Sequence, residues 1–151
     1  IAFGLGVLGL NPILIAAVGK DFADYDAWLT RHGVNTSHAL VSTEQHTAHF
    51  TVTTDTELNQ IASFFPGAMS EARNIELKPI MDKVGKLDLL VISPDDPEAM
   101  LRHTEVALSM GIAVAADPSQ QMARMSGDEI KKLIASDRTN VSESADYLEE
   151  K

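Results

Sequence analysis

The sequence predicts an α/β fold with parallel strands, and three observations lead to this prediction. An apolar run at 13–18, bounded by a proline and a glycine, has the composition of a strand that is buried on both faces. Apolar residues then recur at helical spacing over 22–32, and Gly33 supplies a left-handed stop. Strands and helices alternate again from residue 87 onward. This order is typical of βαβ units with right-handed crossovers.

The first ten residues predict a buried helix, because small residues among the apolar ones allow a neighbouring segment to approach closely. Asn11 and Pro12 then break the helix. The chain opens with Ile1 rather than methionine, and no capping residue precedes its apolar sequence. We therefore expect a chain that is cut at its start.

A small sheet is predicted between the two α/β segments. Stretches at 37–41, 47–53 and 60–65 are rich in Thr, Val, Ile and Phe, as strands are. Residues 55–59 have turn composition and connect the last two stretches as a hairpin. Since polar and apolar residues alternate poorly here, we expect a flap that is partly exposed on one face.

The second α/β segment has clearer boundaries. A strand at 87–92 is followed by Asp96 as N-cap and Pro97 in the first turn of a helix that ends near Met110. A strand at 112–116 and a helix from residue 126 to about residue 135 follow. Ligands of such sheets bind beyond the carboxyl ends of the strands.

Composition excludes several classes of function. The net charge of -10 disfavours binding to nucleic acid or to an anionic membrane, because phosphate contacts need clustered Lys and Arg. The absence of cysteine excludes disulfides and thiolate chemistry and is consistent with a reducing compartment. The longest apolar run, at 1–10, is too short to span a bilayer and lacks signal-peptide features. We predict a cytoplasmic protein.

Two apparent motifs have ordinary explanations. Residues 4–9 match the dinucleotide fingerprint G-x-G-x-x-G, but no strand precedes them, as that motif requires. His46 and His49 point to opposite faces of a strand, so shared metal ligation is not expected. The signatures of a P-loop, of serine hydrolases and of zinc hydrolases are absent from this sequence.

Four residues are candidate ligand contacts. Phe50 and Phe64 can present flat apolar faces to a planar ligand, or they can pack as the core of the flap. Gln120 and Gln121 follow a predicted strand, where their amides offer a donor and an acceptor to a purine edge. Alternatively, these two glutamines belong to an ordinary polar loop.

The sequence also resembles the ribokinase-like (phosphofructokinase B) family of sugar and nucleoside kinases, and within it the actinobacterial adenosine kinases. The resemblance covers roughly residues 1–135. The strings that carry it are Gly19-Lys20-Asp21-Phe22, Gly33-Val34-Asn35-Thr36, Gln60-Ile61-Ala62-Ser63-Phe64, Phe64-Phe65-Pro66-Gly67-Ala68-Met69, Asp95-Asp96-Pro97-Glu98-Ala99-Met100 and Ala116-Asp117-Pro118-Ser119-Gln120-Gln121.

This resemblance implies a Rossmann-like three-layer sheet at 1–36 and 70–151, with a small β-sheet lid at 37–69 that often forms a dimer contact. It implies that Phe50 and Phe64 sandwich an adenine and that Gln120 and Gln121 contact the purine. The implied reaction transfers the γ-phosphoryl group of ATP, with Mg²⁺, to the 5'-hydroxyl of adenosine.

The polar tail carries a further implied site. Asn140 and Glu143 match the family's N-x-x-E motif, which organises Mg²⁺ and phosphate, or they lie in a loop that only caps a helix at 142–151. The family's Gly-Gly segment, its ribose-binding aspartate and its Gly-Ala-Gly-Asp anion hole with the catalytic aspartate are not found in this chain. We therefore expect this chain alone to be inactive. A sugar kinase and a non-catalytic binding or dimerisation fragment are the alternatives.

Overall fold

A computed structural model of the chain describes residues 1–135. These residues fall into two compact units, of which the first is Ile1–Ile75 and the second begins at Glu76. The division predicted from the sequence, a core at 1–36 and 70–151 with a lid at 37–69, concerns other boundaries and stays a prediction. The helix predicted at 142–151 lies outside the described residues.

The first unit contains a βαβ element. Strand β1 (Ala17–Val18) pairs in parallel with β2 (Leu40–Val41), and α2 (Ala23–Arg31) connects them. A parallel bridge between Ile13 and Asn35 extends the contact toward the chain start. The predicted parallel pairing across a helix is thereby confirmed.

Both strands of this element are shorter than the sequence predicts. The run at 13–18 is in the ladder only at its last two residues, because β2 offers just two partners. The predicted strand at 37–41 loses its first half to a turn, in which the Ala39 N–H donates to Thr36 O at 3.0 Å. Side-chain composition predicts where a strand forms, whereas its length depends on its partner.

Helix α1 (Ala2–Val7) is shorter and more exposed than predicted. The sequence predicts a buried helix over the first ten residues, but no residue of α1 is buried and Leu8 is 78% exposed. Of the residues of α1, Ala2 and Phe3 pack against the hydrophobic core of this unit. The prediction was wrong about burial because apolar composition gives no information on whether a partner is present.

The core of the first unit forms around α2. The Phe3 ring stacks on Trp28 with centroids 4.3 Å apart. Gly33 ends the helix region with a φ of +80°, as predicted. At Gly6 a side chain would collide with the end of α2, because an added Cβ would lie 2.2 Å from the His32 carbonyl oxygen. The buried residues of this cluster are Val18, Phe22, Leu29 and Val34.

The hairpin consists of β3 (His49–Thr54) and β4 (Gln60–Phe65), paired antiparallel. Asp55 fixes its turn by accepting hydrogen bonds from the backbone N–H groups of Glu57 and Asn59 at 2.8 and 2.9 Å. The predicted hairpin and turn are thus confirmed. The expectation of one exposed face was wrong, because all twelve strand residues are exposed and neither face is covered.

The second unit contains another βαβ element, as predicted. Strands β5 (Leu89–Ile92) and β6 (Ala113–Ala116) pair in parallel, and α4 (Pro97–Ser109) connects them. Asp96 caps α4, since its carboxylate accepts a hydrogen bond from the Ala99 N–H at 3.2 Å. The largest fully buried side chains are Met100, Val114 and Leu133.

Two 3-10 helices and two α-helices complete the described chain. A 3-10 helix at Gly67–Asn74 ends the first unit, and α3 (Leu77–Val84) opens the second. Neither helix was predicted. Pro79 makes α3 hard to recognise in the sequence, because proline usually ends a helix. It is tolerated here because it lies in the first turn, where its missing N–H costs little. A second 3-10 helix, Ser119–Arg124, precedes α5 (Gly127–Ala135).

The start of α5 matches the sequence prediction closely. The Glu129 carboxylate accepts a hydrogen bond from the Ser126 backbone N–H at 2.7 Å, and Ser126 Oγ faces the Glu129 N–H at 3.4 Å. This is the reciprocal arrangement of a capping box. Among residues 1–135, no helix has the length and apolar composition that crossing a membrane would require.

Candidate functional site

The hairpin brings the two predicted aromatic contacts together. Phe50 and Phe64 are directly opposite each other in the β3–β4 register, so both side chains project from the same face. Their exposed fractions are 66% and 47%, which excludes the alternative that they form a packed core of the flap. Val52, opposite Ala62, continues this face toward the turn.

The geometry of the pair differs from a simple sandwich. Directly opposed residues of an antiparallel pair have Cβ atoms about 5 Å apart. Rings that start from such positions on one face lie beside each other, whereas a sandwiched base needs about 7 Å between two facing rings. Phe50 and Phe64 are therefore two exposed aromatic residues at opposed positions on one face of the hairpin.

A group of hydrogen bonds holds the segment that leads into β3. The Asp21 carboxylate accepts from the Thr47 backbone N–H and from Thr47 Oγ1, both at 2.8 Å, and lies 3.3 Å from His46 Nδ1. Thr47 Oγ1 in turn accepts from the Gly19 N–H at 3.0 Å. The bonds from Thr47 hold the pKa of the Asp21 carboxyl well below its usual range.

Ser42 organises the connection between β2 and this segment. Its hydroxyl accepts hydrogen bonds from the backbone N–H groups of Glu44 and Gln45 at 3.2 and 3.0 Å. The same hydroxyl donates to a Glu71 carboxylate oxygen at 2.7 Å. Sequence reasoning did not find the bond to Glu71, because it joins residues that are 29 positions apart and depends on the folded path of the chain.

The two predicted glutamines have different environments after β6. Gln121 is 4% exposed, and its side-chain Oε1 is buried without a hydrogen-bond partner. Gln120 is exposed, and its Oε1 accepts from Ser119 Oγ at 2.8 Å. Since buried acceptors normally have partners, the free Oε1 of Gln121 marks a place where a donor would be stabilising.

The loop after β5 contains Asp95, a carboxyl group with a shifted pKa. This loop lies at the same end of the β5–β6 sheet as the loop after β6. Burial raises the pKa of Asp95 to about 6, although its carboxylate accepts a hydrogen bond from the Asp96 N–H at 2.7 Å. The Asp117 N–H bonds to Ile92 O at 2.8 Å, which ties the carboxyl ends of the two strands together. Sequence reasoning gave Asp95 no role beyond the family resemblance.

The predicted nucleotide and metal contacts, Asn140 and Glu143, lie outside the described residues. Within residues 1–135, no group of three or more His, Asp or Glu side chains is arranged to hold a metal ion. A groove of about 380 Å³ lies between α4 and α5, but it contains none of the predicted site residues. Its lining consists of Leu101, Thr104, Glu105, Leu108, Lys132 and Ala135.

Comparison with known proteins agrees with the architecture. The family model described as "pfkB family carbohydrate kinase" matches residues 1–137. The chain belongs to the pfkB family. The resemblance stated from the sequence is therefore confirmed at the level of the family.

Relatives of this pfkB-family chain include two archaeal proteins named nucleoside kinase. The protein from Methanocaldococcus jannaschii is 30% identical over 135 residues, which cover 88% of this chain and 43% of the relative. The protein from Methanothermobacter thermautotrophicus is 27% identical over 129 residues, which cover 84% of this chain and 41% of the relative. The chain thus spans less than half the length of these relatives.

Solved structures confirm the predicted ribokinase-like α/β fold. The nucleoside kinase from Burkholderia thailandensis in complex with inosine superposes with a TM-score of 0.80 at 25% identity, over 90% of this chain and 45% of that one. The same protein has been solved in complex with ADP-inosine, with a TM-score of 0.77. This pfkB-family chain therefore has the fold of nucleoside kinases over its described length.

Proposed function

We propose that the complete protein that contains this chain transfers the γ-phosphoryl group of ATP to the 5'-hydroxyl of adenosine, giving AMP and ADP. This reaction is a step of purine salvage. The chain supplies the substrate-binding and lid portion of the enzyme. We expect the enzyme to be cytoplasmic.

The observation that supports this proposal most directly is the exposed pair of Phe50 and Phe64 on one face of the hairpin. Large exposed apolar surfaces mark sites of interaction. A purine offers a flat π-face, and stacking of one base on an aromatic side chain contributes about 1–3 kcal/mol. The names of the relatives, and the inosine in the Burkholderia structure, agree with a nucleoside as acceptor.

By the family resemblance, we assign Gln121 to the purine. Its buried Oε1 lacks a donor, and an unsatisfied buried acceptor costs about 1–3 kcal/mol. The exocyclic amine of adenine is one donor that would remove this cost. Gln120 is exposed and adds a second amide at the same loop.

ATP and Mg²⁺ complete the proposal. The ADP-inosine complex of the Burkholderia protein agrees with a nucleotide as phosphoryl donor. Phosphoryl transfer requires positioning and cations that neutralise the transferred group. By the family resemblance we assign Asn140 and Glu143 to the nucleotide and Glu143 to Mg²⁺.

A homodimer through the lid is the proposed assembly. The face of the hairpin opposite to the ring pair carries Ile61 and Phe65, which are both exposed. Exposed apolar side chains on both faces indicate two interaction surfaces, and we assign one to the ligand and the other to a partner. A second copy of the chain covers the second face in this proposal.

A sugar kinase is the second candidate, because the family model that matches the chain describes carbohydrate kinases. A non-catalytic binding or dimerisation fragment is the third. The exposed ring pair argues against a sugar, which presents no π-face. A kinase assay separates these candidates.

The test uses the complete gene product that contains this sequence, supplied with ATP and Mg²⁺. ADP release is measured with adenosine, inosine, ribose and fructose as acceptors. We expect kcat/KM for adenosine to exceed that for ribose by at least about fivefold and by up to about 150-fold, since stacking of the base on an aromatic ring contributes about 1–3 kcal/mol. Faster turnover of ribose or fructose would overturn the nucleoside assignment, and no turnover of any acceptor would indicate a non-catalytic protein.

A matched pair of variants sharpens this test. Phe64→Leu keeps an apolar side chain but removes the π-face, and Phe64→Ala removes both. We expect both variants to raise KM for adenosine, with the larger change in Phe64→Ala. Gln121→Leu removes the buried acceptor and is expected to narrow the preference for adenosine over inosine.

A further inference from the structure

The hairpin meets the rest of the first unit at a narrow clamp, which we define as Gly19, Asp21, His46, Thr47 and Gly67. Thr47 is the centre of the clamp, because it donates two hydrogen bonds to Asp21 and accepts one from Gly19. These bonds join the carboxyl end of β1 to the segment that leads into β3. Phe50 is only three residues further along the chain.

Two glycines allow the backbone to pass through the clamp. A Cβ added at Gly19 would lie 2.2 Å from the Thr47 nitrogen, and one added at Gly67 would lie 2.2 Å from the His46 carbonyl oxygen. The same oxygen accepts a hydrogen bond from the Ala68 N–H at 2.9 Å. The segment at His46 and Thr47 is therefore held on two sides, at the entry to β3 and at the exit from β4.

Beyond the clamp, the hairpin has little else to fix its direction. All twelve residues of β3 and β4 are exposed, so no buried side chain anchors the hairpin to the core of the first unit. A rigid hairpin that is attached at one end turns as a body when its attachment loosens. The direction of the Phe50 and Phe64 rings thus depends on the contacts at the clamp.

We propose that Asp21 is a positioning residue that fixes the hairpin so that Phe50 and Phe64 meet the acceptor substrate. Asp21 acts through Thr47 and touches neither substrate nor nucleotide. The inference rests on the proposed function, since it assigns the hairpin to substrate binding. The hydrogen bonds from Thr47 stabilise the charged form of the Asp21 carboxyl and so hold its pKa well below its usual range.

A purely structural role for Asp21 would be capping of α2, but the geometry does not support it. The N-cap of α2 is Phe22, and no side chain caps that end of the helix. Asp21 directs its carboxylate at Thr47 and His46 instead. Loss of this carboxylate should therefore loosen the hairpin without melting the helix.

The expected change in KM follows from the fraction of time that the hairpin spends in the direction that acceptor binding requires. If the hairpin holds the correct direction for only about a tenth of the time, the apparent affinity for the acceptor falls about tenfold. KM for the acceptor should rise by that factor in Asp21→Ala, and KM for ATP should change much less. Thr47→Val, which removes the hydroxyl and keeps the shape, should give a smaller increase.

The experiment uses the complete gene product with four variants. Asp21→Ala and Thr47→Val break the clamp, whereas Thr47→Ser keeps the hydroxyl and should retain wild-type behaviour. Asp24→Ala is the matched control, because Asp24 is an exposed aspartate in the first turn of the same helix. Two properties are measured: amide hydrogen exchange over residues 46–54, and KM for ATP and for whichever acceptor the wild type phosphorylates.

The result expected is faster exchange over 46–54 and a raised acceptor KM in Asp21→Ala and Thr47→Val, with an unchanged melting temperature. Unchanged exchange, or faster exchange with no change in acceptor KM, would overturn the positioning role. Faster exchange throughout the chain with a lower melting temperature would also overturn it, since Asp21 would then be structural. A wild type that phosphorylates only a sugar refutes the adenosine proposal alone, because the acceptor KM of the variants still tests the clamp.

Discussion

The β3–β4 hairpin and the β5–α4–β6 element both depend on strand pairing, but they bury very different amounts of side chain. Every strand residue of the hairpin is exposed, whereas Met100 and Val114 in the other element are 1% and 0% exposed. The hairpin is held by its ladder, its turn and the clamp at Asp21. The two rings proposed to bind substrate therefore lie where they contribute little to folding, so their roles in binding and stability should be separable by mutation.

The largest expected effect is on the unfolding free energy and concerns the buried β5–α4–β6 element. Met100→Ala removes a fully buried side chain from α4, and such substitutions cost about 2–5 kcal/mol of unfolding free energy. Denaturant unfolding measures the change, with the exposed Met110→Ala as the matched control. A loss below about 1 kcal/mol would show that this element does not form the stable core.

Asp95 provides the next largest effect. Its folded pKa of about 6 lies above its unfolded value, so its contribution to stability is fully present below about pH 4 and is lost as the pH rises through about 6. Asp95→Asn keeps the acceptor for Asp96 and removes the charge. The variant should gain stability relative to wild type across this range, by up to about 3 kcal/mol.

The control for Asp95 is Asp88→Asn, because the Asp88 side chain is 92% exposed. Chemical denaturation of both variants and the wild type at several pH values gives the comparison. A stability difference between Asp95→Asn and wild type that does not change with pH would contradict the burial of this carboxyl group.

A smaller effect on stability is expected when one aromatic ring of the hairpin is removed. Phe64→Ala deletes one member of an exposed cross-strand pair, and such pairs contribute less than about 1 kcal/mol. The melting temperature should therefore stay close to that of the wild type. A loss as large as that of Met100→Ala would mean that the hairpin is buried in solution.

The smallest effect is local and concerns Asp55 in the hairpin turn. Hydrogen bonds from the Asn59 side chain and backbone lower the pKa of Asp55. Its stabilisation of the turn is present above the unfolded pKa and is lost as the pH falls through the folded pKa. Below about pH 4, amide exchange in the hairpin should accelerate in wild type more than in Asp55→Asn, with no matching change in β5 and β6.

The sequence allowed accurate prediction where local chemistry decides the structure. Asp96 and Pro97 predicted the start of α4, Gly33 predicted the end of α2, and the turn at 55–59 predicted the hairpin. Each of these features depends on a cap, a left-handed residue or a turn residue within a few positions. Such signals do not require knowledge of distant partners.

Predictions that depend on distant contacts were less accurate. The apolar composition of α1 suggested burial, but the structure leaves Leu8 exposed. The sequence placed Phe50 and Phe64 in the two strands of the hairpin but left open whether they are exposed. The bonds from Thr47 to Asp21 and the free acceptor of Gln121 are visible only once the chain is folded. Burial and long-range hydrogen bonds require the path of the whole chain.

The most direct test of the account is calorimetric titration of adenosine and of ribose into the complete gene product, using wild type, Phe64→Leu and Phe64→Ala. The account predicts adenosine binding that weakens by about 5- to 150-fold in Phe64→Ala, which corresponds to the loss of one stacking contact, and no heat from ribose. Ribose binding as tight as adenosine binding, or adenosine binding that is unchanged in Phe64→Ala, would contradict the claim that the exposed rings of the hairpin bind a purine.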